Sequence, residues 1–193
     1  MQPADKNWNL SSSLPLAILV LALAAGSWGV FGALVTLVSQ TFGLTGTEFS
    51  LILLAPAAIG LPLVWVLYRW ATHSARPGNV LLMVFLALIP LLAGLALANR
   101  FSHLLLVGAG LGVVPGCFAA GVVYLHRLTR IPRLALTTGL LVLCALGTTF
   151  AYVSTPLITD AFGWRFTPLM SIGLILIAAG LLATLGEPTE TRV

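Results

Sequence analysis

Hydrophobic positions along this chain fall in long unbroken runs, separated by short polar interruptions. They do not alternate as in a half-buried strand, and they do not form the one-sided stripe of a soluble helix. Six runs are long enough to matter, at roughly 14–38, 49–69, 79–98, 102–125, 135–159 and 167–186. A membrane-crossing helix needs about 20 apolar residues, and inside lipid each segment must satisfy its own backbone hydrogen bonds. The pattern therefore predicts an all-α membrane protein with six transmembrane helices. The first run, "SSSLPLAILVLALAAG" after Lys6, has the look of a secretory leader. It continues through "SWGVFGALVTLV" to about Val38, longer than a leader's apolar core, and reads as the first membrane helix. The resulting division is an N-terminal tail over 1–13, a six-helix transmembrane domain over 14–186 and a C-terminal tail over 187–193.

Composition strengthens this picture. Of the 193 residues, 59% are hydrophobic and 7% are charged. Soluble domains carry about 25% charged residues, so this chain cannot build a water-facing surface. The net charge of +4 is accounted for by the loops. The tails and the connections at 70–78 and 126–134, with Arg69 at their edge, hold Lys6, Arg69, Arg76, Arg127, Arg130, Arg133 and Arg192. The alternate connections hold Arg100 and Arg165. Basic residues collect on the cytoplasmic side, so both termini are expected there, in a cell membrane such as the bacterial inner membrane. Nothing points to nucleic acid. Trp70 and Tyr124 fall near inner helix ends and Trp164 near an outer end, whereas Trp28 lies in mid-span and is expected to pack between helices.

Small residues supply the packing signal. In "GAGLGVVPG", Gly108, Gly112 and Gly116 recur every four residues and Ala120 continues the series. They share one face of helix four, where a neighbouring backbone can approach closely. Pro115 is expected to bend that helix. Gly26, Gly29 and Gly32 form a weaker counterpart in helix one. Such grooves serve static packing, or a sliding contact between helices.

Ionisable groups are costly at membrane depth and functional by default there, yet no Asp, Glu, Lys or Arg falls in the middle of a run. His103 and His126 stand at helix ends and His73 in a loop, as interface residues. Thr45 and Glu48 have capping-box spacing at the start of helix two, a reading weighed against a proton-carrying carboxylate. On helix five, Cys144, Thr148, Tyr152, Thr155 and Thr159 form one polar stripe, with Pro156 interrupting it near the outer end. The stripe either lines a path for a polar solute or hydrogen-bonds to neighbouring helices. Catalytic motifs are absent, and no enzyme is expected. The two cysteines, Cys117 and Cys144, have neither disulfide-framework nor zinc spacing, so no metal is expected. The cofactor is unknown: a pigment, haem or quinone would leave no signature in these side chains.

Several stretches resemble the first half of a major facilitator superfamily transporter, and most nearly the nitrate/nitrite porters. These are "FGLTGTEFSLILLAPAAIGLPL" at the start of helix two, "RLALTTGL" from Arg133 to Leu140, and "PLITDAFGWRFTPL" from Pro156. The superfamily's signature between helices two and three is matched by Arg69, with Val64 in place of its glycine and Tyr68 in place of its aspartate. Gly60, two residues before Pro62, takes the place of the porters' helix-two arginine, and Gly139 and Gly147 remain of their helix-five glycine motif. Such transporters join two six-helix halves around a site near the membrane midplane. The resemblance therefore implies transport of a small polar solute together with a second six-helix unit: another copy of the chain or a complementary half. The alternative is a non-transporting structural or assembly subunit of a larger membrane complex. In either case the lipid bilayer is a partner.

Overall fold

The computed structural model describes residues 8–39, 41–129 and 131–185, and every regular element among them is a helix. Among the described residues, six helices are long and apolar enough to cross a membrane: Ser13–Ser39, Gly46–His73, Pro77–Ala96, Phe101–Thr129, Arg133–Phe162 and Phe166–Thr184. The expected spans are thus observed. The first helix, α1 (Trp8–Ser39), starts inside the stretch read as the N-terminal tail. Residues 1–7 and 187–193, the rest of the expected tails, lie outside the described residues, as do Gly186 and Arg130.

The second span, α2 (Gly46–His73), opens on the expected capping box. The Thr45 backbone N–H donates to Glu48 Oε2 at 2.9 Å, and the Glu48 N–H donates back to Thr45 Oγ1 at 3.3 Å. Span three is split at Ala87 into α3 (Pro77–Leu86) and α4 (Leu88–Ala96), and span four at Leu111 and Gly112 into α5 (Phe101–Gly110) and α6 (Val113–Thr129). Both breaks precede a proline, Pro90 or Pro115, whose ring clashes with the carbonyl four residues back. At Pro115 that carbonyl, Leu111 O, accepts from the Val114 N–H at 3.0 Å instead. Pro156 behaves otherwise. Span five, α7 (Arg133–Phe162), runs through it without interruption. The turn ahead of it is tied by two hydroxyls, Ser154 and Thr155, which donate to Ala151 O at 3.2 and 2.7 Å. Hydroxyls of this kind help a membrane helix absorb a proline. The last span is α8 (Phe166–Leu185).

Spans one and four form the mostly buried centre of the bundle, and spans two and five are mostly exposed. Helix α1 packs most extensively on α7, then on α8 and α6, while α2 lies along α5 and α6. The split third span closes the back, with α3 against α6 and α4 against α8. Phe31, Phe85, Leu88, Leu92 and Leu104 are fully buried between these layers.

Lipid tails are as apolar as leucine, so close packing rather than exclusion from lipid has to hold these layers together. The α1–α7 crossing is tight enough to bring backbone against backbone. A Cβ on Gly29 would overlap the Thr148 carbonyl, and one on Gly147 would sit 2.7 Å from Ala22 O. Gly139, on the same α7, has nothing within 4 Å of a would-be Cβ. Gly29→Ala should therefore destabilise the bundle by about 1–3 kcal/mol, the usual range for overpacking. Gly139→Ala should be neutral or slightly stabilising. Thermal unfolding in detergent of the two variants beside the parent chain checks the contrast.

Candidate functional site

The helix-five stripe stays on one side of α7 but meets two different neighbours. Cys144 Sγ donates to Leu21 O at 3.8 Å, and one turn later Thr148 Oγ1 donates to Ala25 O at 3.0 Å. Donors four residues apart on α7 thus meet carbonyls four residues apart on α1. One further turn on, the Tyr152 ring lies 4.0 Å from where a Cβ on Gly32 would stand. Towards the end of the helix the neighbour becomes α8. Thr155 is fully buried with its hydroxyl on Ala151 O, and Thr159 Oγ1 lies 3.5 Å from Thr167 Oγ1. Tyr152 is 47% exposed, and it is the one stripe member whose side chain has no hydrogen bond among the described residues.

Two cavities flank this α1–α7 seam. One, of about 320 Å³, opens between α1, α6 and α7, with Ala25, Trp28, Pro115, Phe118, Cys144 and Thr148 among its lining. The other, of about 300 Å³, lies between α1, α7 and α8. Most of its hydroxyls are turned back onto their own helices, as in Ser27 to Leu23 O at 3.1 Å and Ser171 to Thr167 O at 3.1 Å. The first cavity holds what sequence reasoning missed. Trp28 does pack against the core as expected, but it also lines this cavity, and its indole N–H makes no hydrogen bond among the described residues. No buried side-chain nitrogen or oxygen among those residues lacks a partner, so this N–H is accessible rather than buried. The available signal was a tryptophan in mid-span, where the aromatic belt at the interfaces offers no explanation.

The glycine series of span four is seated mainly on α2. A Cβ on Gly108 would lie 2.9 Å from the Phe31 ring and 3.1 Å from Ile52 O, and one on Gly112 would lie 2.7 Å from Gly60 N. One on Gly116 would overlap the Leu67 side chain, and Ala120 is fully buried. In helix one, Gly26 faces Ala151, at 3.6 Å from a would-be Cβ. Gly60, where the porters carry an arginine, is buried, and a Cβ there would meet Gly112 O at 3.2 Å and the Pro115 ring at 3.4 Å. Helix four occupies the space that a longer side chain would need.

The basic loops form a second cluster. Arg127 donates to Ser74 O at 2.9 Å and Thr72 O at 2.6 Å, fastening the end of α6 to the turn after α2. Arg133 Nη1 donates to Tyr68 Oη at 3.4 Å, so the residue standing for the signature aspartate still meets a cation. Arg69 lies over the Trp65 ring at 5.5 Å, and Arg76 precedes the first turn of α3. At the opposite end, Arg165 donates to Asn99 Oδ1 at 2.9 Å and stacks on Trp164, joining two further connections.

No known family profile matches the chain, and no solved structure matches it. Curated relatives do. The probable nitrate transporter NarT of Staphylococcus carnosus is 25% identical over 182 residues, covering 93% of this chain and 47% of the relative. NarT of Staphylococcus epidermidis is 25% identical over 180 residues, covering 92% and 46%. The nitrite extrusion protein of Bacillus subtilis is 23% identical over 182 residues, covering 93% and 46%. These names are those of transporters, not enzymes, and the chain spans about half the length of the relatives it matches. The resemblance implied by its motifs is borne out: over nearly its whole length, this multi-pass membrane protein is similar to half of a nitrate/nitrite porter.

Proposed function

We propose that the chain is the first six-helix half of a transporter of the major facilitator type, with both termini in the cytoplasm of a bacterial cell and its helices in the inner membrane. Joined to a second six-helix unit, a copy of itself or a complementary half, it moves nitrate, nitrite or a similarly small polar solute. One observation carries this reading: 93% of the chain aligns with under half of proteins named as nitrate or nitrite transporters. The bundle is compatible with it, since spans two and five flank the buried pair of spans one and four and leave broad apolar surface for another unit.

An oxyanion entering this bundle meets no charge at membrane depth, so hydrogen-bond donors have to replace part of its hydration. The stripe's role divides accordingly. Cys144 and Thr148 are occupied with helix-one carbonyls and hold the seam. Tyr152 and Trp28 keep an O–H and an N–H without partners among the described residues, and these are the groups assigned to the solute. Thr159 ties α7 to α8, Thr155 bonds back onto its own helix, and both flank the path at its end. The glycines of spans one and four provide the seats on which the helices rock.

The test is reconstitution of the chain, purified in mild detergent with every co-purifying chain, followed by nitrate and nitrite flux into proteoliposomes. Solute-dependent flux is expected. Absence of flux, together with stoichiometric recovery in an unrelated redox or pigment-binding complex, would replace this reading with that of a structural subunit.

Two substitutions separate path from seam. Tyr152→Phe should lower flux several-fold with an unchanged unfolding temperature. Thr148→Val should lose about 0.6–1.7 kcal/mol of stability, the range measured for interhelical hydrogen bonds in membranes. Unchanged flux in Tyr152→Phe would remove Tyr152 from the path.

A further inference from the structure

The last two turns of α2 carry an aromatic and basic groove that neither the stripe nor the glycine seats use. Trp65, Val66, Arg69, Trp70 and His73 line a shallow cavity of about 330 Å³ on the outside of the bundle. Trp65 and Trp70 are 63% and 48% exposed, unusual for side chains that bury so much apolar area elsewhere. The Arg69 guanidinium leans on the Trp65 ring and has no hydrogen-bond acceptor among the described residues.

Its neighbours differ. Arg127 is spent on the Ser74 and Thr72 carbonyls, Arg133 on Tyr68, and His73 Nδ1 lies 2.8 Å from Arg69 O. Arg76 also lacks a side-chain partner, but it stands outside the groove. The carboxylates among the described residues, Glu48 and Asp160, belong to the opposite ends of α2 and α7. Among the described residues the groove thus has positive charge without a facing carboxylate, and one guanidinium offers its full fork of donors.

Depth decides what fits there. At about 1.5 Å per residue, Glu48 and Arg69 are roughly 30 Å apart along α2, which is the thickness of a bilayer's hydrocarbon core. With Glu48 capping the helix at one interface, Arg69 falls at the headgroup level of the other. Trp65 and Val66 lie one turn deeper, at the level of the upper acyl chains. We infer that this groove is a binding site for one anionic phospholipid, its phosphate on Arg69 and its proximal acyl chain on Trp65 and Val66. Planar, bidentate recognition of phosphate suits arginine, and aromatic rings suit the boundary layer where the headgroup meets the chains. The inference is independent of whether the chain transports.

Native mass spectrometry of the full chain checks it, in mild detergent with equimolar phosphatidylglycerol and phosphatidylcholine of the same acyl composition. The parent chain should retain phosphatidylglycerol several-fold in preference. Arg69→Gln should lose most of that preference, Arg69→Lys should keep part of it, and Arg76→Gln should leave it within about twofold, since only the fork in the groove is matched to phosphate. Equal retention of the two lipids would overturn the inference. So would an equal loss in Arg76→Gln, which would make the effect diffuse charge, or displacement of the lipid by inorganic phosphate alone. A photo-crosslinker at position 65 in native membranes should yield a lipid adduct, and a protein adduct there would assign the groove to a neighbouring chain.

Discussion

Helices in lipid gain little by hiding apolar side chains from one another, so this bundle depends on how closely its backbones can approach. The crossing of α1 and α7 is the point where that constraint is tightest. Gly29 meets the Thr148 carbonyl and Gly147 meets the Ala22 carbonyl, each with no room for a side chain. Because the backbones are this near, Cys144 and Thr148 reach across to helix-one carbonyls that are already bonded within their own helix. The second lone pair of each carbonyl is then used, and two spans far apart in sequence are held in register. The α2 crossing with span four, where Gly112 faces Gly60 and Pro56, repeats the same solution with different residues.

Close seating also explains how the polar groups are distributed. Most hydroxyls inside the bundle are turned back onto a carbonyl of their own helix, which satisfies them without water. Among the described residues charge is confined to the two ends, where several arginines are engaged. Arg127 fastens one turn to another, Arg165 holds Asn99 across two connections, and Arg69 lies on an indole. Among the described residues, two donors at membrane depth remain available: a half-exposed phenol beside Gly32 and an indole lining the cavity between α1, α6 and α7. A half-transporter built this way would handle its solute with neutral donors. That fits with Gly60 occupying, as a packing residue, the place where the porters carry an arginine.

The number of spans, their limits to within a few residues, the capping of α2 and the segregation of charge were all legible in the chain itself. These depend on quantities local to a segment: the length of an apolar run against the thickness of a bilayer, or a hydroxyl three residues from a carboxylate. The small-residue face of span four was equally visible, because helical spacing is a local property. What sits in that groove was not visible. Its seats on Ile52, Gly60 and Leu67 come from the helix two spans earlier.

Only the tertiary structure decided what the polar stripe on helix five bonds to. Periodicity places Cys144, Thr148 and Tyr152 on one face, but the first two find acceptors 123 residues away while the third finds none among the described residues. It likewise separated Pro115, at a broken turn beside Gly112, from Pro156, which a tied turn carries through an unbroken helix. In each case the residue's own chemistry is fixed, and its role is set by which backbone the packing brings within reach. That is a property of two segments together and is written in neither alone.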